Sequence, residues 1–464
     1  MKRLALALIL LVALALRLAN AVFLPWQGGD RVVSDMKGYD RAAVALLNQQ
    51  PLSVHTAEKY LFHPLGSDTY HPPGYYYFLA GVYAVAGHSY LAVRIVQALL
   101  DALTCLLVYS IGRQIFGEAA GLLAAALAAV YPPFVFYTGV LLTETLSTFF
   151  LAAATWALRK TFGVSKQTPK VCWLALAGLL LGLAALTRSV LLLAAPLALL
   201  WVLFIAQGWP GWSGAARYAL ALLLPLALVI APISVRNYQI HQRFVLISDN
   251  GGVNFFLGHG GTQRLKDQVR NLPEGADASP AIGVSSRTEP QEDAYFYQLG
   301  WQYIRQHPLQ TVRDLASKAV YLYWASDYWP ASDAQANLLR AADLVFWKLL
   351  LLPLALLGLL LVRGQKLRHS SRCLRHSSRC LRHSSRCLRH SSRCLRHSSR
   401  CLRRAALLYL LTLSSAAIPL ISWVMPRYRI PVLPQVIVLA AGAGVELCRR
   451  LAQRSQCTLE GGAS

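Results

Sequence analysis

Charge is what this chain has least of. Asp, Glu, Lys and Arg make up 14% of its 464 residues, against 55% hydrophobic. Several apolar runs reach the roughly 20 residues needed to cross a bilayer. That excludes a water-soluble protein and points to a multi-pass membrane protein whose helices satisfy their own backbone hydrogen bonds. Acidic residues are scarcest, 21 against 45 basic, for a net charge of +24. This resembles a nucleic-acid signal, but segment 368–402 holds five identical copies of Arg-His-Ser-Ser-Arg-Cys-Leu. Without their ten arginines the net charge is +14. Much of the rest flanks apolar spans on one side, as the positive-inside rule expects. Cysteine is as uninformative: five of the nine belong to the repeat, Cys105 and Cys172 fall in spans, and Cys448 and Cys457 lie near the C-terminal end. None lies in an expected external loop, so no disulfide framework is indicated. Soluble-enzyme signatures are missing too. There is no Gly-x-x-x-x-Gly-Lys-Ser/Thr loop, no dinucleotide fingerprint in a strand–helix context, no His-Glu-x-x-His and no Gly-x-Ser-x-Gly. A nucleotide cofactor is not expected.

What is present is an all-α polytopic pattern. Ten spans are expected, at about 4–24, 89–111, 118–137, 140–158, 171–187, 190–206, 217–235, 342–362, 405–424 and 431–447. The first is read as a retained span and not a signal peptide, because Phe23-Leu24-Pro25-Trp26 offers no small-residue cleavage site. Lys2-Arg3, Arg113, the Arg159-to-Lys170 loop, Arg217, the Arg363-to-Arg404 loop and Arg449-Arg450 then share the cytoplasmic side. An even number of spans puts both termini there. The chain divides into 1–363, the transmembrane region with extracytoplasmic loops 25–88 and 236–341; 364–404, a cytoplasmic low-complexity loop; and 405–464, the last spans and a short tail. Loop 25–88 is expected to hold helices near 38–50 and 73–86, and loop 236–341 turns at Asn250-Gly251-Gly252 and Gly258-His259-Gly260-Gly261. Segment 312–329, rich in Tyr and Trp, reads as interfacial. If it crosses, another span must be wrong, because the charges need an even count.

Perfect identity over five heptads reads as a recent duplication tolerated in a loop. A Leu and Arg stripe on anionic lipid, or a zinc site from His369, Cys373 and His376, are the functional alternatives.

Polar residues gather at the expected external face. Asp35 and Asp40 follow span 1, His71-Pro72-Pro73-Gly74 precedes span 2, and Arg94 lies in its first turns. Thr143-Glu144 opens span 4, Arg188 separates spans 5 and 6, Arg236-Asn237-Tyr238 ends span 7, and Arg427-Tyr428-Arg429 joins spans 9 and 10. Ionisable groups in spans are costly and usually line a cavity. Carboxylates beside guanidiniums suit an anionic, lipid-linked substrate: the carboxylate takes a proton, and arginines hold a phosphate bidentately. Structural alternatives stand beside each. Asp35 can cap a helix, Asp40 can sit on a solvated face, Arg94 and Arg188 can snorkel, Glu144 can pair with either, and His71-Pro72-Pro73-Gly74 can simply punctuate helices. Arg427 and Arg429 stand out, since external loops are poor in basic residues.

In order along the chain, Asp35-x-x-x-Tyr39, His71-Pro72-Pro73-Gly74, Arg94, Gly112-Arg113 with Phe116-Gly117, Thr143-Glu144, Arg236-Asn237-Tyr238, Asn250-Gly251-Gly252 to Leu257-Gly258, and Arg427-Tyr428-Arg429-Ile430-Pro431 resemble the GT-C membrane glycosyltransferases. The likeness is to the bacterial branch of the protein O-mannosyltransferase and lipid A aminoarabinose transferase superfamily. It covers most of the chain apart from the repeat. The resemblance implies a polyprenyl-phosphate sugar donor, an extracytoplasmic acceptor (protein, lipid or glycan), a bacterial plasma membrane location and no cofactor or catalytic metal. No external His/Asp cluster in the sequence argues for a metal. Asp35 matches the family's acidic residue that serves as general base or orients the acceptor. Ser34 stands where better known relatives often have a second acidic residue. Arg427, Arg429 and Arg94 are expected to hold the donor phosphate, and Glu144 to orient an arginine or a sugar hydroxyl. His71, Tyr39 and Arg236 are expected to line the substrate site. The rival reading is a carrier or flippase of lipid-linked sugars, but no internal repeat between halves or midplane helix break supports it.

Overall fold

Helices are the only regular structure among the residues that the computed structural model describes: 2–23, 35–50, 69–161, 170–206, 210–261, 288–325, 333–358, 405–414 and 416–461. The repeat lies outside them, as do 24–34 and 262–287. The elements that position the site are α1 (Lys2–Phe23), α2 (Asp35–Leu47), α3 (Gly74–Ala86), α4 (Tyr90–Phe116), α5 (Glu118–Val130), α6 (Pro132–Thr138), α7 (Glu144–Thr161) and α8 (Lys170–Thr187). After α9 (Ala194–Leu200) come α10 (Gly211–His241), α11 (Gly251–Phe256), α12 (Glu289–Gln306), α13 (Pro308–Trp324) and α14 (Asp333–Asp343). The chain closes with α15 (Ala405–Ile421) and α16 (Leu433–Gly461).

Each segment expected to span is largely helical where described. Among the described residues, five helices are long and apolar enough to cross a membrane: Lys2–Phe23, Tyr90–Phe116, Gly211–His241, Asn337–Gly358 and Pro426–Ala452. A sixth follows if α5 and α6 form one span, bent by 52° where Pro132 and Pro133 remove backbone donors. Val171–Thr187, Ser189–Ile205 and Ala405–Ile421 are apolar but shorter. By length and hydropathy the polytopic helical architecture therefore stands with five or six spans, against the ten expected. α13, which carries most of segment 312–329, is not among them.

Small residues and buried polar ties hold the bundle. The inward face of α5 is Ala120, Gly121, Ala124, Ala125, Ala128 and Ala129, so neighbouring backbones approach closely. Arg17 of α1 is fully buried. It donates to Asp101 of α4 and to the carbonyls of Ala13, Ala128 and Ala129, so its charge is paired and its donors satisfied. Gln97 donates to the carbonyls of Thr138 and Val140, fixing the approach to α7. Asn237, fully buried near the end of α10, donates to the carbonyls of Val245 and Ile247. That folds the following strap back towards α11.

Candidate active site

Where the helix ends meet, a cavity of about 630 Å³ opens. Asp35 and Tyr39 come from the first turns of α2, Tyr70 and His71 from the segment before α3, and Arg188 from just past α8. Ser248 and Asn250 come from the strap before α11, Tyr297 and Trp301 from α12, and Arg427 and Tyr428 from the turn before α16. The approach of α3 to α8 depends on Gly74. A Cβ there would lie 2.8 Å from the Leu186 carbonyl carbon and oxygen, so only glycine lets this motif seat against the end of α8. His71 then reaches Tyr39, ring centroids 4.8 Å apart, and Tyr39 meets Tyr75 edge-on at 5.1 Å.

Glu144 organises the charges. It opens α7, its side chain is 1% exposed, and its Oε1 receives Arg188 Nη1 at 3.0 Å and has Arg427 Nε at 3.8 Å. Arg427 Nη2 donates to Asp35 Oδ2 at 3.0 Å. The Arg188 guanidinium also lies over the Tyr428 ring at 4.8 Å. Two guanidiniums are thus gathered on one buried carboxylate, and one of them reaches on to a second, part-exposed carboxylate. The Arg427 guanidinium is thus set between the Glu144 and Asp35 carboxylates. Burial lowers the pKa of His71, Arg427 adds to this and Asp35 opposes it. This favours the neutral imidazole, a hydrogen-bonding group and not a charge. Burial, with Asp35 nearby, raises Tyr39 and Tyr70, so both phenols keep their protons.

Of the residues expected from sequence, Asp35, Tyr39, His71 and Arg427 line the cavity, and Glu144 stands directly behind its arginines. Arg94 and Arg236 are part-buried and outside the lining; Arg236 donates to Asn237 Oδ1. Arg429 is placed differently from its expected role on the donor. It turns inward, 3% exposed, pairs with Asp343 at 2.7 Å, and donates to the carbonyls of Leu322 and Ala325. Its guanidinium covers Trp347 at 4.8 Å. Neighbouring arginines two apart in a tight 3₁₀ turn face opposite ways, and sequence alone does not say which faces the cavity. Asp40 is structural, accepting from Tyr83, Tyr90 and His88. Arg188 was legible as a break between apolar runs. Tyr297 and Trp301 carried no signal, since only packing brings α12 over the cavity.

A second polar cluster, without a signature in the chain, adjoins the first. Thr69, His241, Asp249 and Glu289 lie up to 220 residues apart in the chain, yet Thr69 contacts the other three side chains. The ligand atoms of His241, Asp249 and Glu289 fall within 4.8 Å of one another, a spacing that could hold a metal ion.

The family model for dolichyl-phosphate-mannose-protein mannosyltransferase matches residues 70–235. No curated protein matches the chain in sequence. Among solved structures, the oligosaccharyltransferase AglB of Archaeoglobus fulgidus, in complex with an inhibitory peptide and a dolichol-phosphate, aligns at TM-score 0.53 and 14% identity, covering 98% of this chain and 52% of that one. The apo form of the Archaeoglobus fulgidus oligosaccharyltransferase aligns at 0.53 and 15%, covering 99% and 52%. ArnT of Cupriavidus metallidurans bound to undecaprenyl phosphate aligns at 0.40 and 14%, covering 95% and 77%. The chain spans about half the length of the archaeal enzymes, and at such identity the likeness is one of fold. The resemblance to GT-C glycosyltransferases read from the sequence is met by the matched family and by the archaeal fold.

Proposed function

We propose that this protein is a membrane glycosyltransferase that moves a sugar from a polyprenyl-phosphate donor to an acceptor on the extracytoplasmic side of a bacterial plasma membrane. The observation that carries the reading is the pairing of Arg188 and Arg427 on Glu144, with Arg427 reaching Asp35 on the cavity wall. The match to a lipid-phosphate-sugar-dependent family supports it, as does the fold likeness to an enzyme solved with a dolichol-phosphate. The ten spans expected from the sequence, which count the shorter apolar helices and α7, would put the cavity at the outer membrane face.

The chemistry follows from the charges. The donor phosphate takes Arg427 and Arg188 as its partners, and Asp35 is released from Arg427 as the anion arrives. Asp35 then accepts the proton of the acceptor nucleophile. The bond from the nucleophile to the sugar C1 forms as the bond from C1 to the phosphate oxygen breaks, with inversion. The leaving polyprenyl phosphate keeps the electron pair, and the two guanidiniums stabilise its added charge. Asp35, Arg188 and Arg427 supply this step without a cofactor. His71 and Tyr39 bind sugar hydroxyls, and the 236–341 loop selects the acceptor, whether protein, lipid or glycan.

The test compares wild type with Asp35→Asn in detergent, supplied with radiolabelled polyprenyl-phosphate sugars. Release of polyprenyl phosphate and sugar transfer to host lipids should fall at least about a hundredfold, with donor binding retained. Equal turnover in both would remove Asp35 from the step. No turnover with any donor, alongside donor movement across proteoliposomes, would sink the enzyme reading in favour of a carrier.

A further inference from the structure

Asp40 lies outside the cavity lining and is 8% exposed. Tyr83 Oη donates to its Oδ1 at 2.7 Å, His88 Nε2 lies 2.8 Å from the same oxygen, and Tyr90 Oη donates to Oδ2 at 3.0 Å. These partners come from α3, from the turn after it and from the first residue of α4. Their rings brace one another, His88 meeting Tyr83 edge-on at 4.8 Å and Tyr90 at 5.1 Å. An ionised carboxylate only accepts, so all three contacts are aimed at it. Hydrogen bonds to a charged acceptor are among the stronger ones.

Asp35 stands five residues earlier on the same helix, about 7.5 Å along the axis and about 140° around it. The two carboxylates therefore face different ways, Asp35 towards the cavity and Asp40 towards α3 and α4. Elsewhere α2 is seated by apolar burial: Met36, Tyr39 and Ala43 join the core that holds Tyr75, Leu79 and Tyr83. Apolar burial is not directional. It fixes the rotation of α2 and its slide along α3 less closely than three aimed donors do. One tie at the N-terminal end is Asp35 to Arg427 Nη2, at 3.0 Å. In the proposed reaction the arriving phosphate takes Arg427, so that tie is lost when Asp35 has to be in place.

We infer that Asp40 is the positioning residue for Asp35. Its seat on Tyr83, His88 and Tyr90 fixes the rotation and height of α2, and so keeps the Asp35 carboxylate aimed at the acceptor once Arg427 has turned to the donor. The inference rests on the transfer reaction proposed above, and Asp40 itself touches no substrate. A displacement of about 1 Å at a reacting group can cost about a hundredfold in rate, so a loosened seat is felt at Asp35. The donor phosphate is held from other elements, by Arg188 and Arg427 gathered on Glu144. Loss of the seat therefore acts on kcat and spares the KM for the donor.

Full-length wild type, Asp40→Ala, Asp35→Asn and the double variant are compared in detergent with radiolabelled polyprenyl-phosphate sugars, turnover being counted per donor-binding site. In Asp40→Ala, kcat should fall at least about tenfold, with donor KM within about twofold of wild type. The double variant should turn over within about threefold of Asp35→Asn alone, because a residue that acts through Asp35 has nothing left to position. A merely structural role would lower both backgrounds by the same factor. Tyr83→Phe with Tyr90→Phe removes two of the donors and leaves the rings; it carries the same comparison if Asp40→Ala does not fold. Unchanged kcat on loss of the seat, or equal factors in the two backgrounds while Asp35→Asn is impaired, would overturn this inference and leave the transferase. Asp35→Asn that turns over like wild type, or wild type without turnover, would overturn both.

Discussion

Glu144 is the residue on which the charge arrangement turns. It does not line the cavity, yet it holds both arginines that do. Its effect on reaction is through their positions. Glu144→Gln keeps the shape and removes the charge, so the guanidiniums lose their common anchor. The expected outcome is a rise of at least about tenfold in KM for the donor, larger than the fall in kcat, since a positioning loss acts first on phosphate binding. Steady-state kinetics against donor concentration measure the split. A loss confined to kcat would mean that Glu144 takes part in the chemical step. Asp35 differs because its side chain is 30% exposed to the cavity. It is accessible to an acceptor in a way that Glu144 is not.

At the scale of the element, the turn from Pro426 to Val432 shows how one short segment serves site and scaffold together. Arg427 faces the cavity while Arg429 pairs with Asp343, which also accepts from Tyr131. Removing Arg429 leaves Asp343 fully buried without its main cation. Arg429→Ala should cost about 3–5 kcal/mol, seen as a large fall in melting temperature, whereas Arg429→Met with Asp343→Leu should recover much of it. Unaltered stability in the single variant would remove the scaffold role. Helix α12 gives a pH test. Burial raises the Asp293 carboxyl from its ordinary 3.8 to about 6, against the pull of the Gly252 N–H that it accepts. The folded chain therefore binds this proton more tightly than the unfolded chain. Its contribution is full below about pH 4 and is lost as pH rises through about 6. Relative to wild type, Asp293→Asn should lack this decline when melting temperatures are compared at pH 4.5 and 6.5; parallel curves would count against it.

At the scale of the whole molecule, composition and periodicity were enough for the class of protein. Long apolar runs in water have no stable alternative to a bilayer; within it only helices and closed barrels satisfy the backbone, and continuous apolar runs of about 20 residues fit helices, so an all-helical membrane fold was legible in the sequence. Asp35, Tyr39, His71 and Arg427 were legible too, because polar groups beside apolar spans are costly enough to need a reason. Other features depended on distance in space. Which of Arg427 and Arg429 faces the cavity is set by a turn whose side chains point opposite ways. Arg188 joins the site because α8 ends beside α7. Tyr297 and Trp301 reach it because α12 folds back over α11. The cluster of Thr69, His241, Asp249 and Glu289 has no signature in the chain, since its members are drawn from four separate segments. Local pattern decides what a segment becomes, through backbone hydrogen bonding and apolar burial. Which side chains meet is decided by packing between segments far apart in sequence, and charge pairing and metal spacing exist only at that level.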